Sequence, residues 1–221
     1  MNLPRVHPTA ILEEGVVLGL GTDVWDGVHI RHHTVLGEQC IVGEKTYIAY
    51  EVKIGRRVKI NNHVSICTGV TIEDGVMVSA GCVFTNDRFP RATTSDLKTL
   101  RPSDPDESTK RTLIKAGATL GAGSVIGNEL TVGRFAMIGM GSVVTKSVPD
   151  FHLVMGNPAR SVGGVCRCGQ LFTRFTPDQA QVDRELSCPK CMLRYRVTGQ
   201  VISELNPPEE LPPAVVEEDD D

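Results

Sequence analysis

The chain has 221 residues, 40% of them hydrophobic, which is enough to bury one main core and leave room for a small appendage. Its formal charge of −4 hides an asymmetry: residues 207–221, PPEELPPAVVEEDDD, hold seven acids and no base, so the rest of the chain carries +3. That body is too weakly basic to point to nucleic acid, no apolar run approaches the roughly 20 residues of a membrane span, and the opening MNLPRVHPTAILEEG lacks the apolar segment of an export signal, so the expected location is cytoplasmic.

From Val6 onward an apolar residue recurs at every sixth position, through Leu12, Leu18, Val24 and Ile30 as far as Phe84. Positions six apart on an α-helix are turned by about 240° and spread over all its faces, so they form no helical stripe. In a strand the side-chain period is two, and residues six apart point the same way. The residue two before each apolar position, on the same face, is nearly always small: Thr22, Thr34, Cys40, Thr46 and Cys82 are examples. The pattern predicts short strands with a corner between each and the next.

Between Phe84 and Ile114 the period fails. The stretch TNDRFPRATTSDLKTLRPSDPDESTKRTL carries six bases, five acids and three prolines, the composition of an extruded loop, placed at about 86–112. A long excursion from an otherwise regular coil is a candidate for function.

The period then returns at Ile114, Leu120, Ile126, Val132, Ile138 and Val144, making twenty apolar positions in all, and Leu130 is the clear exception to the small-residue rule. Several of the apolar residues are followed by glycine, as in Leu120-Gly121, Ile126-Gly127, Val132-Gly133 and Ile138-Gly139. A glycine there suits a sharp turn or a positive φ.

After Ser161 the coil ends, and CRCGQ is followed some twenty residues later by CPKCMLRY. Cys166, Cys168, Cys188 and Cys191 are candidate ligands for one zinc ion in a tetrahedral thiolate cage, with unbound reduced thiols as the alternative. Cys40 and Cys82 fall at the small inward position and Cys67 follows a core isoleucine; these read as packing thiols. The chain therefore divides into an all-β coil at 1–163, a small zinc-ribbon-like unit at 164–200, and an acidic tail at 201–221 expected to be disordered.

The repeats resemble the hexapeptide-repeat transferases, which implies a left-handed parallel β-helix with three hexapeptides per turn and between six and seven coils. Within that superfamily VFTNDRFPRA, RTLIKAGATLGAG and VVTKSVPDFHLVMGNPARSVGGVCRCG are similar to the sugar N-acetyltransferases acting on a UDP-linked 3-amino uronic acid or a dTDP-linked 3-amino-dideoxyhexose. The resemblance covers residues 1 to about 195. Asp87 and Phe89 depart from the family's T-N-V-x-N-P-R-A, and in INNHVS only Asn62 matches, so the acceptor sugar is left open.

What the resemblance implies is acetyl transfer from acetyl-CoA to the amine of a nucleotide-linked sugar, in a homotrimer with sites between subunits. Asn86 matches the asparagine near the amine; capping the turn at the loop's start is the alternative reading of the same residue. Asn62, His63 and Arg91 are the candidate acceptor contacts, Arg91 toward the diphosphate. Gly139 and Gly141 would let the pantetheine arm approach the backbone, with Lys146 and Arg160 at the phosphates of the coenzyme. His29, His32, His33 and His63 are the candidate general bases. A hydroxyl acceptor would need such a base, which leaves sugar O-acetylation as an alternative function, beside a non-catalytic scaffold. The three-histidine metal set of a γ-type carbonic anhydrase is not met, since no histidine lies between 64 and 151.

Overall fold

The computed structural model describes residues 2–102, 109–176 and 183–210, and residues 211–221, most of the acidic tail, lie outside the described residues. The hexapeptides form a three-faced parallel β-solenoid. Each contributes a short strand, and each strand pairs with the one three hexapeptides further on: Arg5 with Asp23, Ile11 with His29, Val17 with Val35. Successive coils are joined by backbone bonds such as Ile41 N to Val58 O at 3.0 Å. The first face starts at Arg5–Val6, the second at Ile11–Leu12 and the third at Val17–Leu18; the first stacks eight parallel strands, ending with His152–Gly156.

The core is the column of period-six side chains. Ile30, Ile48 and Ile66 stack along the second face with no exposed surface. The small residues two before them also point inward, and where they are polar they are satisfied. Thr34 Oγ1 donates to Ala49 O at 2.7 Å and Thr46 Oγ1 to Asn61 O at 2.9 Å. Cys40 and Cys82 are fully buried, with thiols pushed up in pKa by burial.

The glycines do two separate jobs. Those directly after the core residue are places of close approach: a Cβ on Gly121 would lie 2.5 Å from Ile138 O in the next coil. The positive φ falls two residues further on, at positions such as Gly141, and also at non-glycine corners including His33, Lys45 and His63.

The excursion leaves after Val83–Phe84 on the second face and rejoins at Thr112–Ile114 on the third, so Thr112 is already strand. Ser65 pairs with Val83, and Val83 in turn pairs with Val125 on the far side of the loop. The whole excursion is therefore looped out between adjacent coils without disturbing their register. Within the loop, Thr93 and Leu100 form an antiparallel bridge.

Past the last coil, the chain turns at Asn157-Pro158 into a hairpin of His152–Gly156 with Ala159–Val165, and Leu171–Arg174 adds a further antiparallel strand. A separate three-stranded sheet follows, Asp183–Ser187, Arg194–Thr198 and Val201–Glu204, its last strand lying beyond residue 200. An aromatic series ties this appendage to the coil: Phe135 stacks on Phe151, Phe151 meets Tyr195 edge-on, and Tyr195 stacks on Phe172. Arg167 lies 4.5 Å over Phe135 and is held by both oxygens of Glu204, and Glu210 bridges Arg167 and Arg134. No helix among the described residues is long and apolar enough to cross a membrane.

Candidate functional site

The corners of the solenoid stack into three edges, and the residues singled out in the sequence fall mainly on two of them. Asn62, His63, Gly139 and Gly141 lie on the edge between the first and second faces, where Gly81 N bonds Asn62 O. Asn86 and Lys146 lie on the edge between the second and third faces, and Arg91 is in the loop that leaves from it. One face separates the two groups, roughly 20 Å for six extended residues. A single chain does not bring them together.

At the loop's root the turn is capped by Asp87, whose Oδ1 accepts the Phe89 amide at 2.8 Å. The half-buried Asn86 carboxamide takes no part in that cap, so the capping role that Asn86 could have filled falls to its neighbour. Thr85 N bonds Ile126 O, which continues the pairing of Phe84 with Ile126 as far as the residue before Asn86. Beside Asn128, Glu129 is 3.6 Å from both Arg88 and Lys110, joining the two ends of the excursion through one carboxylate. Arg91 is exposed, its guanidinium bonded to Pro90 O.

Above this root, along the same edge, lies a cluster built on two of the candidate bases. Glu13 pairs with His29 at 2.8 Å and Arg31 at 2.6 Å, and its other oxygen accepts the His32 amide. Arg31 first, with His29 and His32, outweighs desolvation and holds the Glu13 carboxyl down at about 2. His32 stacks on Tyr50 at 4.9 Å. His29 and His32 are thus engaged by carboxylate and ring neighbours. His63 stands at a corner with φ of 56°.

On the first edge, a Cβ built on Gly141 meets nothing within 4 Å, whereas one on Gly139 would meet Met155 at 2.8 Å. Gly141 therefore borders open space. Arg160 is exposed in the hairpin beyond the last coil, its guanidinium bonded to Ala159 O. His152, absent from the candidate bases, is buried, with Nδ1 against Ser161 Oγ at 2.8 Å and Nε2 against Gln200 O at 2.7 Å. No period or motif marks it, because its partner Gln200 lies far along the chain in the appendage.

The four late cysteines converge. Their Sγ atoms all lie within 4.8 Å of one another, Cys166 to Cys191 at 3.3 Å and Cys168 to Cys188 at 3.6 Å. Cys188 accepts the Lys190 amide at 3.4 Å and Cys166 accepts from Tyr195 Oη at 3.1 Å. Burial pushes the Cys188 thiol up, but the Cys191 and Lys190 amides and the other thiols outweigh it and bring it to about 7.

Comparison with known proteins agrees with this architecture. Residues 51–86 match the family described as bacterial transferase hexapeptide (six repeats), and the same six-residue strand unit recurs on both sides of that stretch. Over 99 residues, 45% of this chain and 47% of the relative, it is 41% identical to dTDP-3-amino-3,6-dideoxy-alpha-D-galactopyranose 3-N-acetyltransferase of Aneurinibacillus thermoaerophilus. It is 48% identical over 50 residues to serine acetyltransferase of Escherichia coli K12, covering 23% of this chain and 18% of that one. The chain thus spans less than half the length of either relative. Among solved structures, the N-acyltransferase AntD from Bacillus cereus, in complex with dTDP and 3-hydroxybutyryl-CoA, aligns over 75% of this chain and 81% of that one, with 16% identity and a TM-score of 0.48.

Proposed function

We propose that this chain transfers an acetyl group from acetyl-CoA to the amine of a UDP- or dTDP-linked amino sugar, as a cytoplasmic enzyme. The observation that carries the reading is the Asn86 carboxamide at the root of the only long interruption of the coil among the described residues, left out of the local turn because Asp87 caps it. The stretch of 41% identity to a dTDP-amino-sugar N-acetyltransferase supports the same reaction.

A neutral amine is already a nucleophile and a thioester is already activated, so the site's work is approach, orientation and oxyanion stabilisation. Asn86 Oδ1 accepts a hydrogen bond from the amine and aims its lone pair at the carbonyl carbon. The C–N bond forms, the C–S bond breaks, and the amine proton passes to the departing thiolate, giving the amide and free coenzyme A. Arg91 reaches from the loop toward the diphosphate, and Asn62 and His63 contact the acceptor. The coenzyme runs past Gly139 and Gly141, with Lys146 and Arg160 toward its phosphates. Because these groups occupy two edges a face apart, the reading needs neighbouring copies to meet, and it takes the assembly to be a homotrimer in which one subunit's loop edge meets a neighbour's glycine edge.

Cys166, Cys168, Cys188 and Cys191 fit a structural zinc ion. A tetrahedron with Zn–S bonds of about 2.3 Å has sulfurs about 3.8 Å apart, and the four thiols already lie within 4.8 Å of one another. Four thiolates leave no open position, so the metal would hold the appendage together and take no step in the transfer.

The test is a panel of UDP- and dTDP-linked 3- and 4-amino sugars with acetyl-CoA, read by thiol release. Release with at least one acceptor is expected; silence with all of them would sink the reading.

A further inference from the structure

The third face carries a groove of about 400 Å³ directly beside the loop's root. Thr71, Arg111, Thr131, Ser147 and Glu129 contribute its polar lining, with Leu113 on its floor. It reaches the loop's root through Glu129, which is 3.6 Å from Arg88 and Lys110 at the two ends of the excursion.

Its single acid is already engaged. The one carboxylate, Glu129, is already shared by Arg88 and Lys110 at 3.6 Å each. Arg111 is exposed and is the one base in the lining, and with Glu129 taken by Arg88 and Lys110 no carboxylate among the described lining residues is left to pair with it. The neutral groups are donors as well. Ser147 Oγ accepts the Thr131 amide at 3.0 Å, which leaves its hydroxyl proton free to donate outward. Asn128, the residue before Glu129, has its Nδ2 buried with no hydrogen-bond partner.

We propose that this groove binds a phosphate group, with Arg111 as its principal ligand and the hydroxyls of Thr71, Thr131 and Ser147 around it. A guanidinium forks onto two phosphate oxygens, and hydroxyl donors fill the remaining lone pairs. The site rests on the acetyl-transfer reading only for the identity of what carries the phosphate. Two sources share the chemistry: the diphosphate of the acceptor nucleotide, which would lie close to Asn86, and the phosphates of coenzyme A. No sequence motif sets Arg111 or the three hydroxyls apart. The pairing of Val70–Ile72 with Thr112–Ile114, on opposite sides of the excursion, brings Thr71 beside Arg111, and the pairing of Leu113 with Thr131 and the Thr131 amide bond to Ser147 add the other two hydroxyls.

The experiment is calorimetric titration of the full chain and of Arg111→Gln with inorganic pyrophosphate, UDP, coenzyme A and dephospho-coenzyme A, at low and moderate salt. Arg111 is exposed and the substitution leaves the coil intact, which circular dichroism checks. Pyrophosphate binding should weaken about tenfold or more in the variant, the worth of one charge-assisted hydrogen bond. A matching loss for UDP assigns the groove to the acceptor; a matching loss for coenzyme A, smaller for the dephospho form, assigns it to the donor. Equal binding of every probe by both proteins, or no binding of pyrophosphate by either, overturns the site. If acetyl transfer fails with all acceptors while pyrophosphate binding still depends on Arg111, the enzymatic reading falls and the groove stands.

Discussion

Val83 pairs in parallel with Val125 in the same register that joins Ser65 to Val83, although the whole excursion separates the first pair and a single coil the second. The excursion is thus a graft on a finished coil. Removing residues 86–109 would make Ile114 the sixth residue after Phe84 and restore the period. We expect the excised protein to keep its β-type circular dichroism and to melt close to the parent, while thiol release from acetyl-CoA with any acceptor disappears. Retained turnover would show that the loop has no part in the site.

Asn86→Ala is the finer cut at the same place. The turn is capped by Asp87, so the substitution removes a carboxamide without removing the cap. Turnover should fall about tenfold or more, the scale of one positioned polar contact to a reacting group, with the melting temperature nearly unchanged. Near-normal turnover would discard the assigned role. Asp87→Ala should do the reverse, loosening the loop's root and lowering its resistance to proteolysis.

Gly121 and Gly141 separate two effects that the sequence alone leaves merged. A methyl group on Gly121 would sit 2.5 Å from Ile138 O, a backbone atom with no freedom to retreat, whereas Gly141 has φ of 67° and nothing within 4 Å of the added carbon. Gly141→Ala should cost about 1–2 kcal/mol of backbone strain; Gly121→Ala should cost more, since two coils must part. Chemical denaturation of both variants checks the order, and an equal or reversed cost would contradict the assignment of close approach to the position after the core residue.

That contrast also marks what was legible. The solenoid could be read because its core is one-dimensional: every sixth side chain enters the same column, and Ile30, Ile48 and Ile66 are apolar for that reason alone. The excursion was legible as a break in the column. The candidate site was not assembled by the same logic, because Asn86 and Gly141 belong to different edges, and no rule of spacing says which edges meet. Arg111 and Ser147 escaped for a related reason. They come within one groove only through the stacking of successive coils, Leu113 on Thr131 and Thr131 on Ser147, and neither belongs to the period. Gly19, Gly37 and their like were legible as corners, but which physical constraint each obeys depends on the coil stacked below it.

The cysteine quartet predicts a metal-dependent appendage. With zinc bound, the four sulfurs are held at bonding distance from one centre. Without it, four thiols are packed against one another with no charge to draw them together, held by hydrogen bonds such as those from Tyr195 and Lys190. A strong chelator should release about one zinc per chain and expose the residues around Tyr195 to hydrogen exchange, leaving the coil's amides protected. The absence of zinc from protein purified without chelator, with the appendage equally protected, would count against the site.

His152 gives the last expectation, in pH. Its ring is buried between the last coil and the appendage, against Ser161 Oγ and Gln200 O, and lies 5.0 Å from the ring of Phe175. Burial lowers its pKa below the ordinary 6.5, and the Gln200 carbonyl and the Asp150 charge offset only part of that. Between the lowered value and 6.5 the unfolded chain binds a proton that the folded chain refuses, so folding stability rises with pH across that interval and is lost as pH falls through it. Above 6.5 both states are neutral and the contribution is flat. The melting temperature should therefore fall as the pH is lowered below about 6.5 in the parent, and fall less in His152→Gln, whose amide keeps a donor toward Gln200 without a titrating ring. Parallel melting curves for the two proteins across that range would show that His152 titrates freely and that the contact at the last coil opens in solution.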